Sequence, residues 1–138
     1  MEANELRIGN YVNYKYWNPE PNNEQYLFES VKIIGFLKNN FYFNFKGRNE
    51  IEKVLELHPI PLTEEWLLKF GLKNEKGFGF KNEIAYYLIK EQNNSFFIGI
   101  RYEHDESEYY FVWDITFIHQ LQNLYFALTG EELTIKDS

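Results

Sequence analysis

There is no cysteine among the 138 residues. This excludes a disulfide framework, thiolate metal sites and a cysteine nucleophile. No apolar run approaches the roughly 18 residues of a membrane-spanning helix. The opening MEANELRIGN is charged and lacks the apolar stretch of a secretory signal. Basic residues are in deficit, 14 Lys and Arg against 21 Asp and Glu, for a net charge of −7. That balance disfavours direct binding of nucleic acid, because phosphate contacts need Lys and Arg. Internal repeats and low-complexity segments are also missing. Gly77-Phe78-Gly79 is too short for a phosphate loop, with no Lys-Ser/Thr and no following helix. The expectation is one soluble, cytoplasmic domain over residues 1–138, with no membrane partner, cofactor or metal.

The chain is rich in aromatics. Tyr, Phe and Trp make up 20% of it, and alanine occurs only three times. Aromatic side chains suit the pleated, half-buried surface of a sheet. Residues 5–17 read as a strand in which Val12, Tyr14 and Tyr16 alternate with Asn13, Lys15 and Trp17. Two prolines and three asparagines mark residues 18–23 as a loop. Residues 26–37 resume the alternation, with Val31, Ile33 and Gly35 on one face. Asn39-Asn40 signals a two-residue hairpin turn. Phe41, Phe43 and Phe45 then alternate with Tyr42, Asn44 and Lys46 before a turn at Gly47-Arg48-Asn49. Residues 51–57 fit a short strand or a helical turn equally well. Residues 1–62 are thus mainly strands.

His58-Pro59-Ile60-Pro61 is extended, since each proline biases its predecessor away from the helical region. Thr63 caps a short helix over 63–71, with Glu64 and Glu65 in its first turn and Gly71 past its end. Strands at 78–80, 84–90, 96–102 and 109–115 form an antiparallel meander over 78–115. Residues 117–129 read as an amphipathic helix that presents Phe117, Leu121, Leu124, Tyr125 and Leu128 to the core, and Gly130 ends it. The fold class is therefore α+β, built on antiparallel sheet, with a short middle helix and a C-terminal amphipathic helix. The opening LRIGNYV has the look of the start of an SH3-like barrel.

Charge is unevenly distributed. Residues 1–101 hold 13 basic and 13 acidic residues, and residues 102–138 hold one lysine and eight acids. Four of those acids, Glu103, Asp105, Glu106 and Glu108, fall in six residues. Their ordinary reading is a solvated hairpin loop. Adjacent carboxylates without EF-hand spacing do not converge on a divalent cation. An acidic lobe does steer association with a basic protein surface, and these four residues are the candidate partner contacts.

Signals for catalysis are weak. The histidines are His58, His104 and His119. A hydrolase using His119 or His104 would need a nucleophile that the spacing does not supply. His119 and Asn123 share a helix face with Gln120 and Gln122 nearby, a pattern more typical of a structural helix. Alternating Phe41, Phe43 and Phe45 could stack bases in a nucleic-acid-binding module. Lys38, Lys46 and Arg48 flank that run without interleaving it, so a sheet core fits it better.

Three segments together resemble a known family. They are Asn4-Glu5-Leu6-Arg7-Ile8-Gly9-Asn10-Tyr11-Val12, the stretch PIPLTEEWLLKFG at 59–71, and HQLQNLYFALTGEEL at 119–133. The combination resembles small proteins carried by phages, prophages and plasmids of Bacteroidota. This resemblance implies a setting: a cytoplasmic accessory protein of a mobile element in a bacterial host. Such proteins act by occupying a host protein, and a defence nuclease such as a CRISPR effector offers a basic channel. The expected activity is therefore binding and inhibition, anti-CRISPR-like, and not enzymatic.

Overall fold

Alternation of apolar and polar residues organises the N-terminal strands, and a computed structural model describes residues 1–53, 56–75, 77–102 and 110–136. The chain divides into two compact units, Met1–Ile60 and Pro61–Ser138. The first holds β1 (Tyr11–Asn18), β2 (Gln25–Leu37), β3 (Asn40–Phe45), β4 (Arg48–Lys53) and β5 (Leu57–His58). They form one antiparallel sheet in the order β4-β3-β2-β1-β5. β2 is long enough to serve two partners, pairing with β1 through its first half and β3 through its second. A register shift between Ile33 and Gly35 marks the changeover, and such a bulge bends a strand. Leu6, Val12, Val31, Ile33, Phe41, Phe43, Phe45 and Leu57 form the buried cluster, with Tyr14 and Tyr16 packed against it.

The sheet stays open. β4 and β5 are its two edges, so the barrel suggested by LRIGNYV does not close. That opening segment is also not strand throughout. Ala3–Glu5 form a 3-10 turn, and Gly9 takes φ 100°. The Asn10 side chain accepts a 2.7 Å bond from the Arg7 amide, so extended pairing begins only at Tyr11.

Two turns lie one residue earlier than the asparagine and glycine signals suggest. Leu37 pairs with Asn40 around Lys38-Asn39, and Phe45 pairs with Arg48 around Lys46-Gly47. Lys46 and Gly47 both adopt positive φ, 51° and 81°, the requirement of a two-residue turn whose twist matches its strands. Of residues 51–57, Ile51, Glu52 and Lys53 end β4 and Leu57 begins β5, while residues 54 and 55 lie outside the described residues.

The second unit holds α1 (Glu64–Lys69), β6 (Lys73–Asn74), β7 (Gly77–Lys81), β8 (Ala85–Gln92), β9 (Ser95–Tyr102), β10 (Tyr110–Ile115) and α2 (Ile118–Thr129). Its strands form an antiparallel meander, β10-β9-β8-β7-β6. The molecule is α+β with two five-stranded antiparallel sheets. The Thr63 hydroxyl accepts from the Trp66 amide at 3.3 Å to cap α1, and Trp66, Leu67 and Phe70 are buried. Gly71 follows with φ 73°. Asn93-Asn94 is a two-residue turn with both residues at positive φ. Gly79 is required by close approach: a Cβ there would collide with the Tyr87 carbonyl of β8.

The buried stripe of α2 differs from the expected one. Ile118, His119, Leu121 and Gln122 are buried, whereas Leu124, Tyr125 and Leu128 are half-buried and Phe126 is exposed. Phe117 occupies the position just before the first turn, so the inward face starts at Ile118 and fades toward the C-terminal end. The Gln120 side chain accepts from the Thr116 and Phe117 amides, and Gly130 ends the helix at φ 76°. Leu121→Ala is expected to cost about 2–5 kcal/mol through loss of apolar contact and an unfilled cavity, and Leu124→Ala clearly less. Urea unfolding of both variants checks this; equal losses would show that the inward stripe is wrongly placed.

Candidate functional site

The pleat of the first sheet sends its aromatics to two different destinations. Phe41, Phe43 and Phe45 point into the core, where Tyr14 lies 4.8 Å from Phe43 and 5.1 Å from Phe45, ring centre to ring centre. Tyr16 meets Phe45 at 4.8 Å. These phenylalanines are core packing, and no base could stack on them.

The opposite face carries Trp17, Tyr26 and Phe28, which are 47%, 58% and 55% exposed. Register explains the grouping. Trp17 pairs with Tyr26 and Lys15 with Phe28, while Asn13 pairs with both Ser30 and His58. Directly opposed residues share a face, so β1, β2 and β5 contribute to one surface. The Trp17 and Tyr26 rings meet edge to face at 5.0 Å, and Phe28 meets His58 in the same way at 5.4 Å. The Lys15 ammonium sits 4.6 Å above the Tyr26 ring. Lone exposed apolar residues are ordinary, whereas aromatic rings in mutual contact at the surface make this a candidate binding face. The alternation of Asn13, Lys15 and Trp17 separated these residues from the core; only the pairing of β1 with β2 shows that Trp17 stands beside Tyr26.

Glu103, Asp105, Glu106 and Glu108 lie outside the described residues, as does His104. They belong to the connection between β9 and β10, which pair as antiparallel neighbours. The polar residues of α2 serve the fold. Besides the capping by Gln120, the buried Gln122 amide donates to the Leu133 carbonyl at 3.0 Å and so anchors the C-terminal segment. The Lys136 amide then bonds the Lys69 carbonyl at the end of α1. His119 is buried, with its ring parallel to Phe117 at 6.0 Å.

A groove of about 650 Å³ runs between the β7–β8 connection and the last turn of α2. Lys81, Asn82, Ile84, Tyr125, Thr129 and Glu131 are among its lining residues, and no histidine is. Asn82 braces the groove. Its amide group donates to the Leu128 carbonyl and the Tyr87 hydroxyl, both at 3.0 Å, and its side-chain oxygen accepts from the Ile84 and Ala85 amides. Burial, and then the Glu131 charge, raise the Tyr125 phenol above its usual range. Among the described residues, no three His, Asp or Glu side chains are grouped to hold a metal ion, and no helix is long and apolar enough to cross a membrane.

Compared with protein-family models, curated proteins and solved structures, the chain matches none.

The strongest titration signal lies beneath the first sheet. The Tyr14 hydroxyl donates to Glu52 Oε1 at 3.1 Å. Burial, that bond and the charges of Glu52, Glu50 and Glu56 push its phenol up to about 12. The folded chain therefore holds a proton that the unfolded chain releases near pH 10. The resulting stability is complete below about pH 10 and is lost as pH rises toward about 12. Tyr14→Phe should remove this component of alkaline destabilisation. Urea midpoints of both proteins from about pH 9 to about pH 12 test it; parallel curves would show that Tyr14 contributes none of the pH dependence.

Proposed function

We propose that this protein works by binding rather than catalysis, with its acidic second unit docking on a protein that presents a basic surface. The observation that carries this reading is the segregation of charge between the two units. Residues 1–60 hold eight acidic and seven basic side chains, whereas residues 61–138 hold 13 acidic and seven basic. Every described carboxylate of the second unit is exposed: Glu64, Glu65, Glu75, Glu83, Glu91, Asp114, Glu131 and Glu132. Carboxylates held in water around one unit make a field that accelerates encounter with a cationic partner.

The family resemblance provides the setting. In a mobile-element accessory protein, the fitting partner is a host defence protein that handles nucleic acid, such as a CRISPR effector. Its channel must be basic to hold phosphates, and an acidic protein seated there blocks it. The reading is thus inhibition by occupancy, anti-CRISPR-like, with Glu103, Asp105, Glu106 and Glu108 as leading contacts.

The test is affinity capture from a Bacteroidota lysate with and without nuclease, followed by binding kinetics on the captured protein. A partner that stays bound after nuclease treatment supports the reading. Glu103→Ser, Asp105→Asn, Glu106→Gln and Glu108→Gln, made together, should leave the unfolding midpoint nearly unchanged. They should slow association several-fold and flatten its salt dependence, because charges at an interface rim act mainly on the encounter and are screened over about 8 Å in physiological salt. Loss of every partner on nuclease treatment would overturn the proposal. An unchanged association rate at low salt would remove the acidic segment from the interface.

A further inference from the structure

The exposed aromatic face of the first unit differs in charge from the chain as a whole. β1, β2 and β5 contain one carboxylate, Glu29, and it pairs opposite Tyr14 on the core side of the sheet. The outer face carries Lys15 among Trp17, Tyr26, Phe28 and His58, and Lys32 on the same face farther along β2, opposite Tyr11. A protein of net charge −7 thus keeps one aromatic face free of carboxylates from its own strands and supplies it with two lysines.

We infer that this face binds single-stranded nucleic acid. Bases stack on Trp17, Tyr26 and Phe28, and Lys15 and Lys32 meet phosphates. Aromatic rings joined to nearby cations are the recognition chemistry of single-strand binders, which accept any base because every base has a π-face. Tyr26 and Phe28 lie two residues apart on one strand face, roughly 6.6–6.8 Å. That is about twice the ~3.4 Å rise of stacked bases. Bases seated on both rings are drawn apart from one another, which a single strand permits and a duplex resists. The rings are held in place beforehand: Tyr26 lies between the Trp17 contact and the Lys15 ammonium, and Phe28 rests against His58. Less ordering entropy is then lost on binding. The first unit is itself nearly balanced, with eight acidic and seven basic residues, and most of the chain's negative charge belongs to the second unit.

The experiment is fluorescence anisotropy with labelled 15-nucleotide single-stranded DNA and RNA, and with the corresponding duplex, titrated by the full chain from about 50 to about 500 mM salt. The single strand should bind more tightly than the duplex. Two phosphate contacts predict a slope of log affinity against log salt near −1.4, from about −0.7 per contact. Trp17→Ala and Tyr26→Ala should each weaken binding roughly 5- to 150-fold, and Lys15→Gln with Lys32→Gln should bring the slope close to zero. Phe36→Ala, at a ring exposed near the other end of β2, should change nothing. Tryptophan fluorescence should be quenched on binding, a readout that needs no variant. The variant with all four acidic substitutions should keep this affinity, so a failure here is distinct from failure of the protein-partner reading. No single-strand binding at any salt, equal affinity for duplex, or indifference to loss of Trp17 and Tyr26 would overturn the inference. Capture of a polyglutamate peptide in place of the strand, with the same dependence on Trp17, would also overturn it and assign the face to an acidic protein.

Discussion

The antiparallel register between β1 and β2 connects core to surface in the first unit. Opposite Val12 stands Val31, and both are buried; opposite Trp17 stands Tyr26, and both are exposed. Because side chains alternate with a period of two, a slip of one residue would send Trp17 inward and carry Val12 out to water. The same pairing places Phe28 beside Lys15, and β5 adds His58 through its bond to β1. Formation of the core and assembly of the aromatic face are therefore a single event. The buried Val12, Val31, Ile33 and Phe43 stabilise the register that gathers the exposed rings.

The second unit makes different use of its polar side chains. Asn82 joins the start of β8 to the end of α2, Gln120 caps α2, and Gln122 anchors the C-terminal segment at Leu133. Buried or half-buried amides used in this way satisfy backbone groups that would otherwise be costly to bury. They are committed to the fold, whereas the described carboxylates of this unit are exposed. A net charge for the whole chain hides the contrast between the two units. One presents an aromatic face with lysines and no strand carboxylate, the other a solvated acidic surface.

Local chemistry determined a good deal by itself. The period-2 runs at Val31–Ile33 and Phe41–Phe45 identified strands and their inward faces, because only one face of a sheet can be buried cheaply. The capping residue Thr63, with Glu64 and Glu65 behind it and Gly71 after, identified α1, since a helix end must satisfy its own amides and carbonyls. Two prolines and three asparagines at 18–23 marked the connection between β1 and β2, because such residues favour turns.

What tertiary structure alone decided were the properties that depend on partners far away in sequence. Whether the sheet would close was one of them: LRIGNYV fits a barrel start, but β5 takes the free edge of β1 and leaves β4 as the opposite edge. The inward stripe of α2 was another. Its spacing admits Leu124 and Leu128 as readily as Ile118, and only the surrounding elements selected Ile118, Leu121 and Gln122 for full burial. The neighbourhood of Trp17 and Tyr26 was the third. They stand nine positions apart in the chain, and no periodicity relates them; the turn length and the burial of Val12 against Val31 bring their rings to 5.0 Å. Patterns along a sequence report which face a residue takes, because that is set by its own backbone, whereas which residues meet on that face is set by register, which belongs to two strands at once.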